Sequence, residues 1–219
     1  MGLSKEIIAL MKKEFLLEWR GKTAINSILL YVVAAVFILF VSFHKVDAKV
    51  WNALFWIIIV FSSINAVAKS FIGESEGKNL YYYQLVSPQG FYLSKLIYNA
   101  LLLVGLTLLT FIVFVVLLDN PVKQSSLFAS VMLLGSLGFS SLLTMVSAIV
   151  SKAGRKMSLM SILSFPIIIP ILLLVMQLSI KALAPIPLAN TMKDLLILGC
   201  VNVAIMGAGY LLFPYLWRD

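Results

Sequence analysis

The sequence holds few of the residues that catalytic and metal centres need. It has one cysteine, Cys200, and one histidine among 219 residues. A lone cysteine can form neither an intrachain disulfide nor a two-cysteine redox or metal motif. The sequence also lacks a His-Glu-x-x-His motif, an intramembrane aspartate pair and a Gly-x-Ser-x-Gly motif, so no signature of intramembrane hydrolysis is present. We therefore predict a non-catalytic protein without a metal centre.

Apolar residues dominate what is present. They make up 62% of the chain, and the mean hydropathy of +1.05 is far above that of a soluble domain. A helical crossing needs roughly 20 apolar residues, so about six crossings fill the chain and leave no soluble catalytic domain. We predict an all-α polytopic membrane protein, a single transmembrane domain over residues 1–219, with spans at about 24–43, 51–68, 96–118, 125–150, 157–178 and 195–216.

No Asp, Glu, Lys or Arg lies within these six predicted spans. Proton- and ion-coupled carriers usually keep such a residue in a span as the coupling group. If the protein moves a substrate, its energy must therefore come from elsewhere. Trp51 and Trp56, near the start of the second span, are predicted to be interfacial anchors.

Residues Lys5 to Lys22 predict an amphipathic helix before the first span. Ile7, Met11 and Phe15 recur every four residues along one side, while two glutamates intrude near this apolar stripe. One interpretation is an interfacial anchor lying along the membrane surface. The other is an elbow helix whose acidic pair, Glu14 and Glu18, meets a partner subunit.

The longest polar interruption between apolar runs is the segment from Lys69 to Lys95, which must lie at a water interface. Twelve of the 17 Lys and Arg residues fall on the same side of the predicted topology as this segment, and five fall on the other. Because positive charge marks cytoplasmic loops, we expect both termini and this segment to be cytoplasmic. The same distribution explains the net charge of +8 better than nucleic-acid binding does.

Two stretches carry a resemblance to a known family. The run Glu74-Ser-Glu76-Gly77, followed by Leu80, Ser87-Pro88 and a closing lysine, resembles the cytoplasmic loop of type-two ABC exporter permeases. The basic, glycine-containing entry at 151–156, followed by Pro166 and Pro170 in the fifth span, is similar to haem exporter protein B of the cytochrome c maturation system. The run of three tyrosines at 81–83 departs from that family's pattern.

The resemblance implies a bacterial inner-membrane permease subunit that works with a separate ATP-binding ATPase and with haem-handling membrane subunits. Haem is then a candidate substrate, no cofactor is held firmly by this chain, and the permease pairs with itself or with another membrane subunit. A permease for a drug or lipid and a membrane scaffold that transports nothing remain the alternatives. The residues expected to couple to the ATPase are Glu74, Glu76, Gly77, Leu80, Tyr83, Ser87 and Pro88, and those expected in the elbow helix are Glu14, Glu18 and Arg20.

Three further features, a tyrosine, a histidine and a pair of prolines, have two interpretations each. Tyr83 either contacts the ATPase or lies at the lipid headgroups. His44 is of the type that ligates haem iron, but a lone histidine at an interface is more often only a tolerated polar residue. Pro166 and Pro170 each remove a helical hydrogen bond, so we expect a broken fifth span that is either a moving part or a static kink. Nearby serines, Ser161 and Ser164 among them, are candidates to satisfy the freed carbonyls.

Overall fold

The computed structural model describes residues 3–21, 23–43, 45–72, 86–152, 157–185 and 191–218. Within these ranges the chain forms seven α-helices. They are α1 (Leu3–Gly21), α2 (Thr23–Ser42), α3 (Ala48–Ile72), α4 (Pro88–Leu118), α5 (Ser125–Lys152), α6 (Met157–Ala182) and α7 (Met192–Arg218).

Helices α3 to α7 are each long and apolar enough to cross a membrane. Helix α2 has 20 residues, of which Asn26–Ser42 form a shorter apolar stretch. These features confirm the predicted all-α polytopic membrane fold. The described connector residues 45–47, 119–124 and 183–185 lie together at one end of the bundle, called the distal end, and α1 lies at the other end.

Helix α5 lies at the centre of the bundle and contacts α3, α4, α6 and α7. Its small residues allow this: a Cβ added to Gly135 would lie 3.2 Å from the Trp56 ring, and one added to Gly138 would lie 2.5 Å from the side-chain oxygen of Asn202. Small residues let helices approach closely where lipid provides no hydrophobic driving force.

Polar side chains also join α5 to its neighbours. Ser136 Oγ lies 2.9 Å from Thr107 Oγ1, and Asn99 Nδ2 donates to Thr144 Oγ1 at 2.9 Å. All four side chains are buried. These two contacts lie inside the bundle, so they hold α4 against α5 at positions that are not exposed to lipid.

The predicted role of the two tryptophans of α3 is wrong. Trp51 and Trp56 are 1% and 0% exposed, and Trp56 Nε1 donates to Ser179 Oγ on α6 at 2.9 Å. Trp51 packs on Phe55 and Phe114 with ring centroids 5.3 and 5.2 Å apart. Large rings at these positions fill the space between α3, α4 and α5, so they are core residues and not interfacial anchors.

Two predicted spans differ from the helices. The third was expected to begin at residue 96, but α4 begins at Pro88, with Ser87 as its N-cap and proline at the first helical position. The fifth was expected to be broken, but α6 is one helix that continues through Pro166 and Pro170. A helix can tolerate a missing donor where its neighbouring turns remain hydrogen-bonded, so the prolines do not end it.

Candidate functional site

The candidate site is the junction where α1 lies beside the first turns of α4. At its near end, Glu6 Oε1 accepts a hydrogen bond from the backbone N–H of Ser87 at 2.7 Å and another from the Ser87 hydroxyl at 2.8 Å. The same Ser87 oxygen accepts from the backbone N–H of Gly90 at 3.1 Å and so caps α4. Glu6 therefore holds the residue at which the chain leaves the predicted coupling segment and enters α4.

Gly90 makes this contact possible. A Cβ at that position would collide with Glu6 Oε1 and would lie 2.8 Å from the Ser87 hydroxyl oxygen. Only a residue without a side chain lets the carboxylate approach the start of α4 so closely.

Two turns further along, a buried ion pair joins the same helices. Lys95 Nζ lies 3.0 Å from Glu14 Oε1, and the lysine side chain is 2% exposed. Its ammonium also lies over the rings of Phe71 and Phe91, 5.6 Å from each centroid. At the protein surface Glu14 is also within 3.2 Å of Lys13. A lysine so deeply buried depends on a carboxylate and on aromatic faces in place of water.

The two contacts have the same spacing on both helices. Glu6 and Glu14 are eight residues apart, as are their partners Ser87 and Lys95. Eight residues of helix rise about 12 Å. Helix α1 therefore runs alongside α4 in the same direction and is attached to it at two points.

The side of α1 that faces the protein is not the predicted stripe. Leu10 is 8% exposed and Glu14 lies at the ion pair, whereas Phe15 is 61% exposed. Ile7 and Met11 are only partly buried. The acidic residues have partners on α4, so their side of the helix is the one that packs on the protein, and the exposed part of the stripe stays available for the predicted contact with the membrane surface.

An aromatic cluster connects this junction with α3 and α7. Phe71 and Phe213 lie 5.8 Å apart, Phe91 and Phe213 lie 6.2 Å apart, and Tyr92 and Phe213 lie 5.1 Å apart, measured between ring centroids. Tyr92 also lies so close to Gly209 that any side chain at Gly209 would collide with its hydroxyl. A displacement at the start of α4 therefore meets packed rings on two other helices.

Most of the predicted coupling residues lie outside the described residues. These are Glu74, Glu76, Gly77, Leu80 and Tyr83, and the same holds for His44 and for the side chains of Glu18 and Arg20. Ser87 and Pro88 are described and form the start of α4. Of the predicted acidic pair of the elbow helix, Glu14 binds Lys95 of the same chain.

The two prolines of α6 lie far from this junction in sequence and on the exposed side of their helix. Ser164 is fully buried, and its hydroxyl has no hydrogen-bond partner among the described residues. It therefore does not satisfy a carbonyl freed by Pro166 or Pro170, as the sequence had suggested.

Sequence reasoning missed Glu6 and the pairing of Lys95. Lys95 was taken as the last residue of a loop, yet it lies inside α4 and is buried. The sequence did contain a signal: Glu6 and Glu14 are eight residues apart, and so are Ser87 and Lys95. It becomes informative only once the two helices are known to lie side by side.

The junction offers ionic, hydrogen-bonded and aromatic contacts, an arrangement suited to transmitting a movement. Within the described ranges, no three His, Cys, Asp or Glu side chains are grouped to hold a metal ion.

A family model described as CcmB protein matches residues 5–210. Comparison with curated proteins and with solved structures gave no match.

Proposed function

Because the chain belongs to the CcmB protein family, a permease component of the ABC transporter of cytochrome c maturation, we propose that it couples ATP hydrolysis by a separate subunit to haem traffic. The movement would drive either haem export or release of the haem-loaded chaperone. The protein is a multi-pass membrane protein that works with an ABC ATPase and other proteins of cytochrome c maturation.

The proposal assigns ATPase docking to the segment between α3 and α4, which includes Glu74 and Glu76. This segment ends at Ser87, where Glu6 accepts two hydrogen bonds. A push on the segment would therefore reach α1 and α4 together. The observation that carries the proposal is this double attachment of α1 to the start of α4, through Glu6 and through Glu14 with Lys95.

The direction of force transfer follows from packing. The first turns of α4 contact α1 on one side and the aromatic cluster of α3 and α7 on the other. Packed side chains transmit displacement because they cannot be compressed. The α1 end would thus move as a unit, and α4 would carry the movement to the distal end.

The remaining parts of the proposal concern location and ligands. Both termini and the docking segment would be cytoplasmic, and the distal end would face the other side of the inner membrane. ATP would bind the partner subunit, haem would be a substrate, and this chain would hold no cofactor firmly. The permease would pair with a second copy or with another membrane subunit.

The double substitution Glu74→Lys, Glu76→Lys, which reverses both charges, tests the docking assignment. We expect the variant to insert into the membrane normally and the ATPase still to hydrolyse ATP. Cytochrome c assembly is expected to fall, because ATP hydrolysis is no longer coupled to movement of the permease. Asp47→Asn is the control, since it removes an exposed charge in the distal connector while asparagine can still accept the hydrogen bond from the Lys49 N–H that caps α3. Normal cytochrome c assembly in the Glu74/Glu76 variant would refute the docking assignment.

A further inference from the structure

A cleft opens at the distal end of the bundle, between the end of α2, the start of α3 and the end of α4. Its volume is about 810 Å³, within the range of sites that hold small ligands. Aromatic, charged and amide side chains are among those that line it: Phe40, Phe43, Lys45, Trp51, Asp119 and Asn120. None of them belongs to the junction of α1 with α4.

The cleft lies where the apolar part of the bundle gives way to polar connectors. Val41 and Val116 line it, and they are 62% and 74% exposed on membrane-spanning helices. Trp51, which is 1% exposed, is the buried part of its lining. One side of the cleft is therefore open to acyl chains, whereas its polar rim is at the level of the lipid headgroups.

Two opposite charges stand at this rim. The side chains of Lys45 and Asp119 both line the cleft and are exposed, and neither forms an ion pair or hydrogen bond with any described residue. Both are thus available to a ligand that carries a negative and a positive group.

The backbone at Asp119 is also unusual. Its φ of 61° and ψ of 171° place it in a region that residues other than glycine rarely adopt. Such a conformation persists where the surroundings determine it, and it holds this carboxylate at the end of α4.

We propose that the cleft binds one phospholipid whose headgroup carries a phosphate and a primary ammonium, as phosphatidylethanolamine does. Lys45 binds the phosphate, Asp119 accepts hydrogen bonds from the ammonium, and the upper acyl chains lie along Phe40, Val41 and Val116. Charge complementarity selects this headgroup. A ligand with anionic groups alone would meet the Asp119 carboxylate, and a quaternary ammonium has no N–H to donate.

The test uses the assembled transporter in bilayer discs of equal phosphatidylethanolamine, phosphatidylglycerol and phosphatidylcholine, followed by native mass spectrometry of the lipid that remains bound. We expect phosphatidylethanolamine to be enriched over the other two. Asp119→Asn is expected to lower that enrichment about threefold, as for a partly exposed ion pair, without lowering retention of phosphatidylglycerol. Asparagine has the same shape as aspartate, so the substitution removes the charge without a change of side-chain size.

Lys45→Gln is expected to lower retention of all three phospholipids, because each carries a phosphate. Lys123→Gln is the matched control, since Lys123 is exposed in a connector at the same end but does not line the cleft. The proposal is overturned if both cleft variants retain lipid as the wild type and the control do. It is equally overturned if the assembled complex retains no lipid there because a partner subunit covers the cleft, or if a porphyrin dicarboxylate displaces phosphatidylethanolamine at equal concentration.

Discussion

Neutralising Glu14 is expected to destabilise the protein more than removing the charge of its partner Lys95. The two side chains differ in how far each depends on the other. Lys95 is 2% exposed, so Glu14→Gln leaves an ammonium in the protein interior with the faces of Phe71 and Phe91 beside it. Losing one partner of a buried pair costs about 3–5 kcal/mol. Because the two rings still attract the ammonium, we expect a cost of about 3 kcal/mol for Glu14→Gln.

The reverse substitution is milder. Lys95→Met keeps an unbranched side chain between the two rings and removes the buried charge. Glu14 is 12% exposed and keeps Lys13 at 3.2 Å, so its carboxylate remains partly solvated and paired. We expect a cost of about 1 kcal/mol, close to that of an exposed pair.

The double variant Glu14→Gln, Lys95→Met is expected to lie within about 1 kcal/mol of the wild type, because an ion pair replaced by well-packed uncharged groups is often neutral. The free energy of unfolding is measured by denaturant titration of the purified protein in mixed micelles, and the coupling energy is taken from the four variants as a cycle. Asp194→Asn, which breaks the exposed pair of Lys181 with Asp194, is the control and is expected to cost less than about 1 kcal/mol.

Two results would refute the reasoning. If Lys95→Met is as destabilising as Glu14→Gln, the buried charge is not the reason for the cost. If the double variant is as unstable as Glu14→Gln alone, the ion pair contributes packing that methionine and glutamine cannot replace.

Three further predictions concern topology, the α6 prolines and the centre of the bundle. A reporter that is active only outside the cytoplasm should be active when fused at Val122 and silent at Lys78, and activity at Lys78 would overturn the assigned orientation. Replacing Pro166 and Pro170 with alanine should strengthen α6 yet lower cytochrome c assembly with the ATPase still bound; full assembly at unchanged protein level would leave only a packing role. Gly138→Ala should lower the unfolding midpoint by the equivalent of about 1–3 kcal/mol because the new methyl would meet an asparagine oxygen of α7 at 2.5 Å, and an unchanged midpoint would mean that α7 can move away.

Composition and hydropathy predicted the fold class because a membrane span must be apolar over its whole length. The same reasoning did not show that α4 begins at Pro88, eight residues before the predicted span. Lys95 was treated as a boundary since a charge rarely lies in a span, but it lies within α4, where Glu14 and two aromatic rings contact its ammonium.

The buried face of α1 shows the same limit more sharply. Periodicity assigns a helix face by its apolar residues and has no means of knowing that a glutamate will find a partner. The contacts of Glu6 with Ser87 and of Glu14 with Lys95 both join residues 81 positions apart. The role of Ser87 as an N-cap could be predicted from the local sequence, since serine before proline is a common helix start. The hydrogen bonds of Ser87 with Glu6 could not be predicted in this way, because they depend on tertiary packing.

The position of α1 has a consequence for how the protein is made. Helix α1 has its two attachment points 81 residues downstream, so it cannot reach its final place until the start of α4 has been synthesised. At 5–20 residues per second, that interval is about 4–16 s. During this delay, α2 and α3 have time to enter the bilayer while α1 and its unpaired glutamates wait at the membrane surface. The N-terminal helix is therefore expected to be among the last elements to assemble, and its release would be an early step when the protein comes apart.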